Sequence, residues 1–172
     1  MLYLVYRLSL FDVCLLMLLL LFGWTYCCAR IERRACAGIS FILFCLSLGM
    51  VLFTTLLSRS ANRGAVVLQP FAAFAAARQQ PELYREMLMN VFLFFPLGLT
   101  LSNALPQKWN RWGRIALTTL FACLLSTGIE YAQYRFALGM AETDDVICNT
   151  LGALLGACSL QIQHAAEKWQ KE

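Results

Sequence analysis

Charge is what this chain has least of. Asp, Glu, Lys and Arg together make 14% of 172 residues, against 60% hydrophobic ones, and mean hydropathy is +0.63. An ordinary soluble domain carries about a quarter of its residues as charges, so this balance excludes that class. Histidine is nearly absent too, with His164 the single one, and none of the eight cysteines forms a CxxC pair, which argues against a zinc site. The sequence has no G-x-S-x-G elbow, no HExxH and no other nucleophile-base signature. Nor does it repeat internally in the way that marks a duplicated transporter.

Long apolar runs are what is there. A bilayer core of about 30 Å needs roughly 20 residues of helix, and about five runs approach that length: 8–29, 35–57, 87–105, 115–134 and 146–162. They are continuous and rich in Leu and Ala rather than alternating, so they predict helices and not a barrel. The expected fold is an all-α polytopic membrane bundle of about five transmembrane helices, in one membrane domain over 1–172. The fourth run carries Glu130 near its end and the fifth is short, which a locally thinned bilayer accommodates. The first run resembles a secretory signal in having Arg7 ahead of it. Asp12 interrupts its start, however, and Tyr26-Cys27-Cys28-Ala29 before Arg30 and Arg33-Arg34 reads as a stop flank, so the helix is expected to be retained. Cys14, Cys45, Cys123, Cys148 and Cys158 lie in the runs, where a thiol packs as a small apolar group, while Cys27, Cys28 and Cys36 flank the first basic loop.

The density of Arg30, Arg33 and Arg34 in one short loop, and of Lys108, Arg111 and Arg114 in another, places both in the cytoplasm by the positive-inside bias. The amino terminus is then outside and the carboxyl terminus cytoplasmic. The longest connection, 58–86, mixes Val66-Val67-Leu68, Pro70-Phe71 and an Ala-rich stretch with Arg59, Arg63, Arg78 and Arg85. It either lies on the outer membrane surface with its arginines reaching anionic headgroups, or is a solvent loop.

Polar residues converge whichever way the chain is oriented. The first, third and fifth runs begin, and the fourth ends, on one side of the membrane, bringing Asp12, Asn90, Glu130, Gln133, Asp145 and Asn149 to one depth. Glu130 and Gln133 are three apart, Ser126 is four before Glu130, and Asp145 and Asn149 are four apart, so each set shares a helical face. Gly152 and Gly156 continue the Asn149 face in a spacing that lets a second helix approach closely. Pro96 and Gly98 follow Asn90, and Pro96 removes a backbone donor, which predicts a kink or a freed carbonyl. The amides could serve only as hydrogen bonds between helices, with Asp144 capping the fifth helix. Glu130 differs, because a carboxylate at membrane depth needs a partner or a proton, and Arg78, Arg85 and Arg135 can reach its side.

Taken in order, Asn90-Val91-Phe92-Leu93-Phe94-Phe95-Pro96-Leu97-Gly98, then Ser126-Thr127-Gly128-Ile129-Glu130 with Gln133, then Asp145-Val146-Ile147-Cys148-Asn149-Thr150-Leu151-Gly152 with Gly156, resemble the VanZ-like family. Gln69-Pro70-Phe71 resembles the short Pro-Phe element that such proteins carry ahead of the first block, so the motifs concentrate in 66–162. Many members have an arginine six residues before the aspartate of the third block. This chain has Gly139 there, with Arg135 nearby. The resemblance implies a bacterial, multi-pass cell-membrane protein of the envelope, in a family whose name-giving member is associated with low-level resistance to the glycopeptide teicoplanin.

Three functions remain open from the sequence. The first is a non-enzymatic envelope protein that binds a lipid-linked precursor or a glycopeptide through the polar cluster Asn90, Glu130, Gln133, Asp145 and Asn149, with Arg63, Arg78, Arg85 and Arg135 contacting anionic headgroups. The second is a membrane-embedded enzyme on lipid-linked precursors, with Glu130 or Asp145 as general base. The third is a small ion-coupled carrier titrating at Glu130. The expected partners are membrane lipids and no nucleic acid, with no cofactor and no metal.

Overall fold

The computed structural model describes residues 10–57, 65–80 and 82–162. Helix α1 is Leu10–Arg30 and α2 is Arg33–Leu52, continued by a π-helical stretch, Phe53–Leu57. A short strand β1, Ala65–Val67, and a short helix α3, Ala72–Ala77, precede α4, Glu82–Ala104. Helix α5 is Arg111–Arg135, strand β2 is Met140–Glu142, and α6 is Thr143–Ala157 with a further helical turn to Ile162. The expected all-helical bundle is therefore observed. Among the described residues, four helices are long and apolar enough to cross a membrane, Arg33–Leu57, Glu82–Ala104, Arg111–Arg135 and Thr143–Ile162, and Leu15–Cys28 of α1 is a shorter apolar stretch.

Local chemistry explains several boundaries. Asn110 starts α5 by accepting the Trp112 N–H through its side chain at 3.2 Å. The same helix ends in a Schellman motif: Leu138 N–H reaches Gln133 O at 2.8 Å and Ala137 N–H reaches Tyr134 O at 3.3 Å, with Ala137 left-handed at φ 52°. Glycine usually occupies that position, so its alanine gave no warning of the stop. Helix α4 runs unbroken across Pro96.

Helices α4 and α6 form the central pair and run parallel. Side chains from Asn90 to Asp145 at one end and from Asn103 to Ser159 at the other connect them. Between those ends the backbones nearly touch, because a Cβ on Gly98 would overlap Ala153, one on Gly152 would overlap Val91, and one on Gly156 would overlap Phe95 and Leu99. Such contact suits a bilayer, where lipid is as apolar as leucine and close van der Waals packing has to hold helices together. Val51 of α2, Phe94 and Leu97 of α4, Ala122 and Ile129 of α5 and Ala153 of α6 fill the core. Outward-facing Leu18, Leu19 and Phe22 of α1, Phe41, Ile42 and Leu46 of α2, and Leu120 and Leu124 of α5 remain exposed. An apolar surface that large is what a hydrocarbon environment covers.

One element was not anticipated. Strand β1 pairs in parallel with β2, Val66 opposite Ala141 and Val67 opposite Glu142, and this pins the connection before α4 to the connection before α6. The connection 58–86, expected on the membrane surface or as a solvent loop, is pinned to the bundle within 65–80.

Candidate functional site

The polar residues meet at the end of the bundle where α4 and α6 begin and α5 ends. Asn90 Nδ2 donates to Asp145 Oδ1 at 2.7 Å, joining α4, two turns in from its start, to the first turn of α6. Glu130 is 7% exposed, and its Oε2 accepts the backbone N–H of Glu142 at 2.9 Å. Glu142 is the N-cap residue of α6 but makes no cap with its own side chain. The carboxylate of α5 therefore serves a backbone donor that introduces α6, at the positive end of that helix's dipole. One turn into the membrane from each, Asn149 Nδ2 donates to Ser126 Oγ at 2.9 Å, with both residues buried.

Gln133 is placed differently from its expected cluster. Its Nε2 donates to Thr55 O at 3.0 Å in the π-helical end of α2, so it ties α5 to α2 and not to Asn90 or Asp145. The π-helix alters the carbonyl pattern there, and a buried amide supplies a donor.

Asp144 is the residue whose role the sequence misassigned. It does not cap its own helix. Buried at 2% exposure, it accepts the N–H of Phe71 at 2.6 Å and of Ala73 at 2.7 Å, and so caps α3 across 71 or more residues of sequence. Phe71 is left-handed at φ 62°, a conformation uncommon for a bulky residue. Thr143 Oγ1 also donates to Val67 O at 3.4 Å, so the start of α6 holds the 65–80 segment at several points.

The arginines divide. Arg78 and Arg135 are exposed, whereas Arg85 is half-buried and engaged in interactions of its own. Arg63 lies outside the described residues. Asp12 falls in the first turn of α1. Met17, further along that helix, packs against Met87, Val91 and Cys148, so the start of α1 belongs to the same end of the bundle. Arg114 was read as a loop charge, yet it is 6% exposed within α5 and donates through Nε and Nη2 to Ser102 O near the end of α4. A guanidinium at a helix C-terminus complements its dipole, and the spacing of Ser102 and Arg114 across a short loop is the signal that could have revealed it.

The sequence matches the VanZ/LLP1 family model over residues 11–163. The chain belongs to the VanZ/LLP1 family. With the four long apolar helices, membership makes it a membrane protein. Protein VanZ of Enterococcus faecium is 37% identical over 73 residues, which are 42% of this chain. The match covers 42% of that relative's own length, so less than half of either protein is compared. No solved structure matches the chain. In this VanZ-like framework, Asn90, Ser126, Glu130, Asp145 and Asn149 are drawn from all three sequence blocks and make their hydrogen bonds at one end of the bundle, the Asn149–Ser126 pair a turn deeper than the others.

Proposed function

We propose that this protein is a non-enzymatic component of the bacterial cell envelope that binds a phosphate-bearing, lipid-linked ligand at the outer face of the membrane, and that this underlies a teicoplanin-type resistance role. The observation that carries the reading is the tethering of the 65–80 segment over the polar end by Asp144, Thr143 and the β1–β2 pair. Arg78, just after α3 in that segment, and Arg135, at the end of α5, are both exposed. Asn90, Glu130, Asp145 and Asn149 form the polar floor that takes the ligand's hydroxyl and amide groups, and the two guanidinium groups meet the anionic headgroup, for which their planar fork suits phosphate oxygens. In the orientation that keeps Arg30, Arg33 and Arg34 cytoplasmic, this end faces outward. A thiol introduced at Gln80 should then be labelled from outside intact cells, and protection there would reverse the orientation.

The binding test uses protein reconstituted in vesicles containing a polyprenyl diphosphate. Retention of that lipid should exceed retention of a zwitterionic lipid, and Arg78→Ala with Arg135→Ala should reduce it about tenfold, as expected on losing roughly 1.4 kcal/mol of charge-assisted contact. Equal retention by the double variant, or turnover of the lipid, would set the reading aside.

A further inference from the structure

At the opposite end of the bundle, α1 and α2 are joined by a two-residue turn, and two thiols face each other across it. Cys28 Sγ and Cys36 Sγ are 2.7 Å apart, and neither is in a disulfide. Both are set on well-formed backbone: Ile31 N–H bonds to Cys27 O at 3.1 Å as α1 closes, and Cys36 N–H bonds to Glu32 O at 2.8 Å as α2 opens. Cys36 is buried and Cys28 half-buried, while the adjacent Cys27 is exposed and makes no such contact. A disulfide has sulfurs about 2.04 Å apart, so the pair needs less than an ångström of closure, and the sulfurs already point at one another.

We propose that Cys28 and Cys36 form a reversible disulfide that staples the end of α1 to the first turn of α2. The bond forms by exchange with a low-molecular-weight disulfide. One of the two sulfurs, as its thiolate, attacks the oxidant and releases one thiol, and the other then displaces the second thiol from the mixed disulfide. The two protein thiols lose two electrons and two protons, and the oxidant takes them up as two thiols. Helix α1 lies at the edge of the bundle with much of its apolar surface exposed, so the staple acts on the helix with most freedom to shift. A basic loop facing a reducing cytoplasm would keep the pair open at rest and let it close under oxidant.

The test uses the full chain in detergent, treated with excess oxidised glutathione, with free thiols then blocked by N-ethylmaleimide for intact-mass and peptide mapping. The wild type should take up two blocking groups fewer after oxidation, and a crosslinked peptide should join Cys28 to Cys36. Dithiothreitol should restore full blocking. Cys28→Ser and Cys36→Ser should each abolish this protection, while Cys27→Ser should leave it unchanged. Complete blocking of every thiol after oxidation, a link through Cys27 instead, or only intermolecular crosslinks would overturn the proposal.

Discussion

At the scale of single residues, Asp144 is the clearest case of a side chain serving an element far from its own. A carboxylate accepting two backbone N–H groups is a strong arrangement, because each hydrogen bond is charge-assisted and the donors are orphans at a helix start. It also offsets the cost of holding Phe71 left-handed, roughly 1–3 kcal/mol. Asp144→Ala should lower stability by about 1–3 kcal/mol, since both donors would lose a charge-assisted partner at a part-buried place. Thermal unfolding of purified protein in detergent would show this as a drop of several degrees, and an unchanged midpoint would mean that the cap carries little. Two neighbouring acids look alike in the sequence. Helical phase alone cannot tell that Asp145 turns to Asn90 while Asp144 turns to Phe71, because both partners come from distant segments.

Among the elements, the α4–α6 pair depends on the absence of side chains. Gly152 and Gly156 share a face with Asn149 by the i, i+3 and i+7 spacing, and that spacing was readable before any coordinates. The residues they meet, Val91, Phe95 and Leu99, were not readable, since no local pattern specifies which helix approaches. Gly152→Ala puts a methyl group into the Val91 backbone, which cannot yield as a flexible side-chain tip would, and overpacking of this kind costs about 1–3 kcal/mol or more. Gly128→Ala meets open space and serves as the control. Folded protein recovered in detergent should fall for the first variant and hold for the second, and equal recovery would contradict the close contact. The helices themselves were legible because apolar length is a direct consequence of bilayer thickness. The β1–β2 pair was not, being three residues a side and joined across 75 residues of sequence.

For the whole molecule, alternation of spans has a geometric consequence that does not depend on orientation. The starts of α1, α4 and α6 and the end of α5 share one end, and there the scattered acids and amides of an apolar sequence become a connected layer. Glu130 with Glu142, Asp145 with Asn90, and Asn149 with Ser126 are the connections. That these residues share one end of the bundle was legible from where they fall in the apolar runs. Their pairing was not, because it depends on the tertiary approach of three helices. In the function proposed above, this layer supports ligand binding beyond its part in packing. The direct measurement is teicoplanin susceptibility of cells carrying Glu130→Gln and Asp145→Asn, normalised to membrane abundance of each variant. Loss of the resistance phenotype is expected at unchanged abundance, since both substitutions keep the side chain's shape and one acceptor oxygen for its hydrogen bond while removing the charge. Full phenotype in both variants at normal abundance would contradict it, as would a loss of phenotype that only follows a loss of folded protein.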